Sequence, residues 1–317
     1  GYGFLAENAS FAEAVAKAAL VFIGPTPGQI RLLGEKTTAI ELARSLNIPV
    51  LKSVRGSKNE LHEKAKEIGF PLMIKASSGG GGKGMFIVSS EEKLQAALNK
   101  AERQSIDYFN NGELFIEKYI LNARHIEVQL LGDHHGNLIH LYERECSIQR
   151  HFQKIVEEAP SAFADDDLRT QLCSAALKIG QSVGYRGLGT VEFLVDENGD
   201  FRFLEMNTRI QVEHPVTEMI TGVDLVDCQI RVALDEVLNL KQDDIKIKGW
   251  AIECRVNAED PQNRFSPQTG FIDKIHFPQD PGIRIETGFL SGSMVTPYFD
   301  SMIAKIIVHG KDRNDVI

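Results

Sequence analysis

The stretch that most restricts the fold is residues 190–207, TVEFLVDENGDFRFLEMN. Apolar and polar residues alternate on both sides of Asn198-Gly199, the strongest short-range signal for an antiparallel hairpin. A two-residue turn at Asn198-Gly199 pairs Glu197 with Asp200. Counting outward then sets Glu192 opposite Glu205. Two carboxylates facing each other across a ladder repel. Stability alone does not favour that arrangement, whereas a hard divalent cation between the oxygens converts repulsion into binding. The alternation continues past the hairpin. Glu205, Asn207, Arg209, Gln211 and Glu213 share one face of an extended segment, and Leu204, Met206, Thr208, Ile210 and Val212 share the other. The plain alternative is a solvated outer face, but such a face favours Lys, Thr and interspersed charge over this ordered polar set.

The rest of the chain is that of an ordinary globular protein. Its 317 residues suffice for two domains or one large one. Lys and Arg number 35 against 44 Asp and Glu, a net charge of −9 that argues against a nucleic-acid partner. Cys146, Cys173, Cys228 and Cys254 form no CxxC pair, so neither a disulfide framework nor a zinc site is expected. The longest apolar run, residues 18–24, is too short to cross a bilayer, so no membrane partner is expected. A chain opening Gly1-Tyr2-Gly3 reads as part of a longer protein.

Taken in order, residues 11–20 read as a short helix and 21–23 as a buried strand, the tail of an α/β unit. Residues 30–46 read as one amphipathic helix carrying Lys36, and 61–68 as another. The strand 71–76 carries Lys75 and leads into SSGGGGKG, after which 85–88 resumes as a strand. Consecutive glycines let backbone N–H groups approach an anion closely, and Lys83 adds charge. Gly79, Gly81 and Gly84 match GxGxxG, but a strand follows where the dinucleotide fingerprint needs a helix, and the Walker A pattern fails at both ends. A glycine-rich hairpin able to close over phosphates remains. Strands follow at 113–120, 125–132 and 137–142. His134-His135 reads as a solvated turn, since no third metal ligand lies nearby in sequence. Residues 144–158 mix charges with little period and read as an exposed loop or a cleft wall. Helices follow at 168–183, 216–222 and 225–234. From Trp250 the texture is all-β; Glu253, Arg255 and Asn257 share one face of a strand over 250–257, and a last strand covers 303–308.

These stretches resemble the biotin carboxylase family of ATP-grasp enzymes. GYGFLAENA, IKASSGGGGKGM, EKYILNARHIEVQ, QKIVEEAP, EMNTRIQVEHPVTE, ECRVNAEDP and PYFDSMIAK carry the resemblance, which runs over nearly the whole chain. It implies an α/β (α+β) ATP-grasp fold with a mobile glycine-rich lid, a truncated N-terminal α/β domain and a mixed-sheet C-terminal domain. The implied divisions are 1–48 for the N-terminal remnant, 49–119 for the lid, and 120–317 for the C-terminal part.

The resemblance also implies roles. ATP would lie under the lid, with Lys36, Lys75, Gly81 and Gly82 on the phosphates. Glu117, Lys118, Tyr119 and Ile120 would hold adenine, and His125 and Gln149 would lie near the sugar. Glu192, Glu205 and Asn207 would hold Mg²⁺ or Mn²⁺, in agreement with the hairpin count. Bicarbonate would meet Lys154, Arg209, Gln211 and Val212, with Glu213 as its base. Arg255 would stabilise the biotin enolate. The implied partners are a biotin carboxyl carrier protein or domain, a carboxyltransferase, and a second copy in a homodimer, in the cytoplasm or a mitochondrial matrix. One departure stands out: Phe152 occupies a position that is usually polar and contacts nucleotide, with His151 one place earlier. Two other readings share the glycine loop and paired carboxylates: an ATP-grasp ligase joining a carboxylate to an amine, and an inactive nucleotide-binding fragment. Neither needs Arg209, Glu213 and Arg255 together.

Overall fold

The computed structural model describes residues 1–3, 5–76, 85–109 and 112–317. Gly81 and Gly82 lie outside the described residues. The chain opens with α1 (Ala9–Lys17), α2 (Pro27–Gly34) and α3 (Lys36–Ser45). Thr26 and Gln29 form a capping box at the start of α2, with Pro27 in its first turn. The single helix expected over 30–46 is therefore two. It breaks at Glu35, whose backbone is extended (φ −88°, ψ 121°); the Thr38 hydroxyl donates to the carbonyl of Leu32 (2.6 Å) and to that of Glu35 (3.0 Å), which also accepts from the Ala39 N–H (3.0 Å). The break sets Lys36 at the first turn of α3. The strand expected at 21–23 does not form: Val21 is 65 % exposed, and no neighbouring strand pairs with it among the described residues.

A four-stranded sheet follows, in the order β1-β4-β2-β3, built from β1 (Ser53–Gly56), β2 (Leu72–Ala76), β3 (Phe86–Val88) and β4 (Leu114–Lys118). Helices α4 (Lys58–Ile68) and α5 (Glu91–Phe109) supply Leu61, Ala65, Leu94 and Leu98 to a core shared with Leu72, Ile74 and Ile116.

The larger sheet contains β5 (Arg124–Gly132), β6 (Leu138–Arg150), β7 (Gln153–Ala159), β8 (Gly187–Val195), β9 (Phe201–Asn207) and β10 (Trp250–Asn257). Two short pairs decorate its far end, β11 (Glu259–Asp260) with β12 (Ser266–Pro267) and β13 (Gly270–Phe271) with β15 (Met294–Val295). With β14 (Ile283–Glu286) and β16 (Met302–Gly310) the order is β14-β16-β10-β7-β6-β5-β8-β9. The ladders are antiparallel rather than mixed; the parallel contact is a single bridge from Val50 to Phe203, where Phe203 N–H donates 2.7 Å to the Pro49 carbonyl. Residues 144–158, read as a loop or cleft wall, belong to the long strands β6 and β7. The turn between them holds His151 and Phe152 at φ 52° and 63°.

One face of this sheet is apolar. Ile126, Val128, Val191, Phe193, Phe203 and Met206 pack against α3 and against Leu172, Ala176 and Ile179 of α6 (Asp166–Ser182). On the other face sit α7 (His214–Thr221) and α8 (Leu225–Ala233).

The hairpin between β8 and β9 reaches the expected pairing by an unexpected route. Its loop has three residues, not two. Asp196 N–H donates to the Asp200 carbonyl, and Gly199, at φ 84°, closes a tight turn onto Asp196. That is a type I turn with a left-handed glycine. Asp196 Oδ1 accepts from the N–H groups of Asn198 and Asp200, each at 3.0 Å, which stabilises the longer loop. Phe193 accordingly pairs with Phe203, one step out of the expected register. A bulge between Glu192 and Phe193 then restores it, and Glu192 does pair with Glu205. The face alternation expected over 205–213 also stops early. The strand ends at Asn207, and the chain turns into α7, whose residue before the first turn is Glu213.

Candidate functional site

The register aligns Arg144 of β6, Glu127 of β5, Glu192 of β8 and Glu205 of β9 in one row across four strands. Three neighbouring carboxylates carry like charge, and an unpaired buried charge is costly. Cations answer them from both ends. Arg144, fully buried, donates to Glu127 (2.6 Å), Gln129 (2.8 Å), Thr217 (2.9 Å), Thr190 (3.2 Å) and Gln211 (3.2 Å), so all of its nitrogens are used. Lys154 from β7 reaches into the middle of the row and bonds Glu127, Glu192 (3.0 Å) and Glu213 (2.6 Å). Lys36 closes the far end at 3.1 Å from Glu205.

These contacts fix charge states. Burial opposes ionisation of Glu192, but Lys154, His125 and the Gln211 amide outweigh it and hold the carboxyl well below its usual range. Burial likewise opposes ionisation of Glu213, and Lys154, Arg255 and Arg144 overcome it, so Glu213 is a firm anion. Burial works against the Lys154 ammonium, yet Glu127, Glu192 and Glu213 raise it well above an ordinary lysine. Arg255, on β10, forks between Glu157 of β7 (2.7 Å from Nε) and Glu213 (3.0 Å).

The edge of the row suits a divalent cation. Glu192, Glu205 and Asn207 offer hard oxygen donors, the kind Mg²⁺ or Mn²⁺ takes. Asn207 turns its amide nitrogen to Glu192 (2.7 Å) and its oxygen to Arg209 (3.2 Å), and half a turn about its last torsion presents the oxygen instead. His125, Glu127 and Glu192 also converge, with ligand atoms within 4.8 Å of one another. There the Lys154 ammonium already bonds both carboxylates, so that cluster is a satisfied ion network.

The remaining expected residues fall in two places. Gln149 and His125 meet side by side (3.2 Å), and His125 Nε2 lies 2.7 Å from Glu192, off the line of a straight hydrogen bond. Arg209 is anchored by Glu7 (2.8 Å), which also accepts from the Thr208 N–H (3.0 Å). Lys305 donates 2.7 Å to the Val212 carbonyl and so fixes the peptide leading to Glu213. On the smaller sheet, Lys75 pairs with Glu117 in a buried contact. Lys118 turns away and donates to the Phe70 carbonyl (2.9 Å), while Tyr119 and Ile120 follow beyond the end of β4. Sequence reading missed Arg144, Glu127, Glu157, Glu7 and Lys305. The period-2 pattern of HIEVQL put Glu127 and Gln129 on one face, and that signal was available. Nothing local marks Glu7, which acts from 201 residues away.

An antiparallel sheet with paired acidic groups and lysines at its edge, beside a smaller sheet whose β2 and β3 are separated in sequence by a glycine-rich segment, defines an ATP-grasp enzyme. Family models bear on which one. The biotin carboxylase N-terminal domain matches residues 1–30, the carbamoyl-phosphate synthase L chain ATP-binding domain 35–241, and the biotin carboxylase C-terminal domain 253–317. A biotin carboxylase of Nostoc sp. is 50 % identical over all of this chain, which spans 72 % of that protein. Human mitochondrial pyruvate carboxylase is 47 % identical over 99 % of this chain and 27 % of its own length. The biotin carboxylase domain dimer of the Hydrogenobacter thermophilus 2-oxoglutarate carboxylase, solved with MgADP, ADP and bicarbonate, superposes with a TM-score of 0.95 at 47 % identity, covering 98 % of this chain and 70 % of that one. The chain belongs to the biotin carboxylase family.

Proposed function

We propose that this chain carboxylates biotin on a carrier protein, using ATP and bicarbonate and passing through carboxyphosphate. It is an ATP-dependent ligase in which Lys36 and Lys75 would meet the phosphates, and Glu117 with the chain of Lys118, Tyr119 and Ile120 would meet the adenine. His125 and Gln149 lie beside the nucleotide. Glu192, Glu205 and Asn207 would hold Mg²⁺ or Mn²⁺, which would offset charge on the phosphates during transfer. Gly81 and Gly82 belong to the same proposal through the resemblance.

The observation that carries the reading is Glu213, an ionised carboxylate held between Lys154 and Arg255. Those cations weaken it as a base at rest. An incoming bicarbonate competes for the same donors. As it takes contacts with Lys154, Arg209, Gln211 and the Val212 peptide, Glu213 loses its compensation and becomes basic enough to accept the bicarbonate proton. Arg255 then turns to the anion that forms on biotin, where a donor aimed at developing charge lowers the barrier. The two sheets and the segment before them correspond, in this proposal, to a C-terminal part (120–317), a lid (49–119) and an N-terminal remnant (1–48). Its partners are a carrier domain, a carboxyltransferase and a second copy of the chain, in a cytoplasmic or mitochondrial-matrix setting. The described residues contain no helix long and apolar enough to cross a membrane.

The test is ATP cleavage by the purified chain with Mg²⁺. The expected result is cleavage that requires bicarbonate and rises with free biotin. Cleavage indifferent to both overturns the proposal.

A further inference from the structure

The site contains two acids that the mechanism leaves unused. Glu157 on β7 and Glu253 on β10 are directly paired in the ladder, and both are fully buried. Directly opposed residues hold their Cβ atoms about 5 Å apart. Arg255, two residues beyond Glu253 on the same face, bonds one oxygen of Glu157. The other oxygen of Glu157 and both oxygens of Glu253 meet no hydrogen-bond partner. Three open carboxyl oxygens on two facing side chains in a dry place cannot all carry charge.

The charged groups around the pair decide which acid stays neutral. Glu157 has a guanidinium bonded to it. Glu253 has none. The cations that act on it are Lys305 of β16, which is engaged with the Val212 carbonyl and with Glu286 of β14, and Arg255, which is committed to Glu157 and Glu213. Glu213 adds negative charge from the start of α7, and Lys154 lies beyond it on β7. Burial pushes Glu253 well above the carboxylate range, with Glu157 and Glu213 reinforcing it against the pull of Lys305. Burial also pushes Glu157 up, to about 7, against the Arg255 guanidinium.

We infer that Glu253 is a positioning residue for carboxylation: it stays protonated at neutral pH and donates its O–H to the open oxygen of Glu157, fixing Glu157 as the anchor that aims Arg255 at Glu213. No bond forms or breaks in this role; the proton stays on the pair. The inference rests on the proposed carboxylase reading for its activity readout. A packing role predicts something different, because Leu fills the same space but donates nothing.

Two measurements on the intact chain test it. In Glu253→Leu, biotin-stimulated turnover falls by about tenfold or more while the KM for ATP stays near the original, since a misaimed arginine harms the chemical step rather than nucleotide binding. Glu253→Gln, whose amide donates as the acid does, recovers most of what Leu loses. Infrared spectra of the original chain at pH 7 show the carbonyl stretch of a protonated carboxyl, and Glu253→Gln lacks it. The inference is overturned if the original chain lacks that band, or if Gln is as slow as Leu. An original chain that shows the band yet never cleaves ATP with bicarbonate overturns the functional proposal instead and leaves the proton assignment standing.

Discussion

Strands β5 and β8 present two buried faces, and the two are held by opposite means. On one, Ile126, Val128, Val191 and Phe193 pack against helices, and each is 0 % exposed. On the other, Glu127, Gln129 and Thr190 are equally sealed beside Arg144 of the neighbouring β6, yet every group there needs a specific partner. Apolar burial is non-directional and roughly proportional to area, so it tolerates exchange of one shape for another. Buried ion pairs give back in attraction about what they cost in lost hydration, so the polar face adds little net stability. What it supplies is fixed charge at fixed places. The contrast teaches that one sheet separates two tasks by side-chain parity: positions 125, 127 and 129 of β5 carry the polar groups, while 126, 128 and 130 pack into the core beneath α6.

Arg144→Leu breaks that contrast most severely. It strands Glu127 without its arginine, and urea unfolding is expected to show a loss of about 3–5 kcal/mol. Replacing Glu127 and Arg144 together by leucine recovers much of that loss while turnover stays absent. A single variant that costs under about 1 kcal/mol means that water reaches the polar face.

Glu205→Gln and Glu213→Gln come next, and both act on rate rather than on fold. The first is expected to abolish turnover and to raise the Mg²⁺ concentration needed; near-normal activity at saturating Mg²⁺ contradicts the metal role. The second is expected to lower turnover by about a hundredfold or more, with ATP affinity within a few-fold. A Glu213→Gln chain that loses ATP affinity alone removes Glu213 from the base role.

The pH dependence of unfolding sharpens the comparison within the polar face. Glu213 is depressed, so its contribution is present above its unfolded value, near 4.5, and is lost as pH falls. Glu157 is raised from 4.5 to about 7, so its contribution is complete below 4.5 and lost as pH rises to about 7. Thermal unfolding of Glu157→Gln across pH 5–7 is therefore expected to fall less steeply than that of the original chain. A parallel slope means that Glu157 is already ionised across that range.

Ile126→Val is the smallest change, one position from Glu127 and on the opposite face. A cost of about 0.5–1.5 kcal/mol is expected, with turnover per folded molecule unchanged.

Much of this was legible from residue order because period-2 alternation and turn residues are local. The two β8–β9 strands and most helices follow from such signals; the Glu192–Glu205 pair was expected from a two-residue turn, whereas a three-residue loop and a bulge together produce it. What escaped depended on distant partners. Residues 21–23 are apolar enough for a strand, but among the described residues no neighbouring strand pairs with them. The α2–α3 break at Glu35 is held by Thr38, a side-chain bond that periodicity ignores. Residues 144–158 lacked a clear period because β6 and β7 are buried among charges, with shifts in their mutual register. Arg144 needed five partners from four other segments before its role could be seen.

The extra residue in β9 has a consequence for how this region tolerates change in length. Because the three-residue loop and the bulge offset one another, only the short segment between them, Phe193 to Val195 against Phe201 to Phe203, is out of step. Deleting Leu204 alone would close the bulge and leave Phe203 against Phe193 and Glu205 against Glu192, and trimming the loop from three residues to two would still leave Asp196 against Asp200. The hairpin thus keeps its spare length at two places, tip and bulge, that can each be shortened by one residue without parting the facing carboxylates.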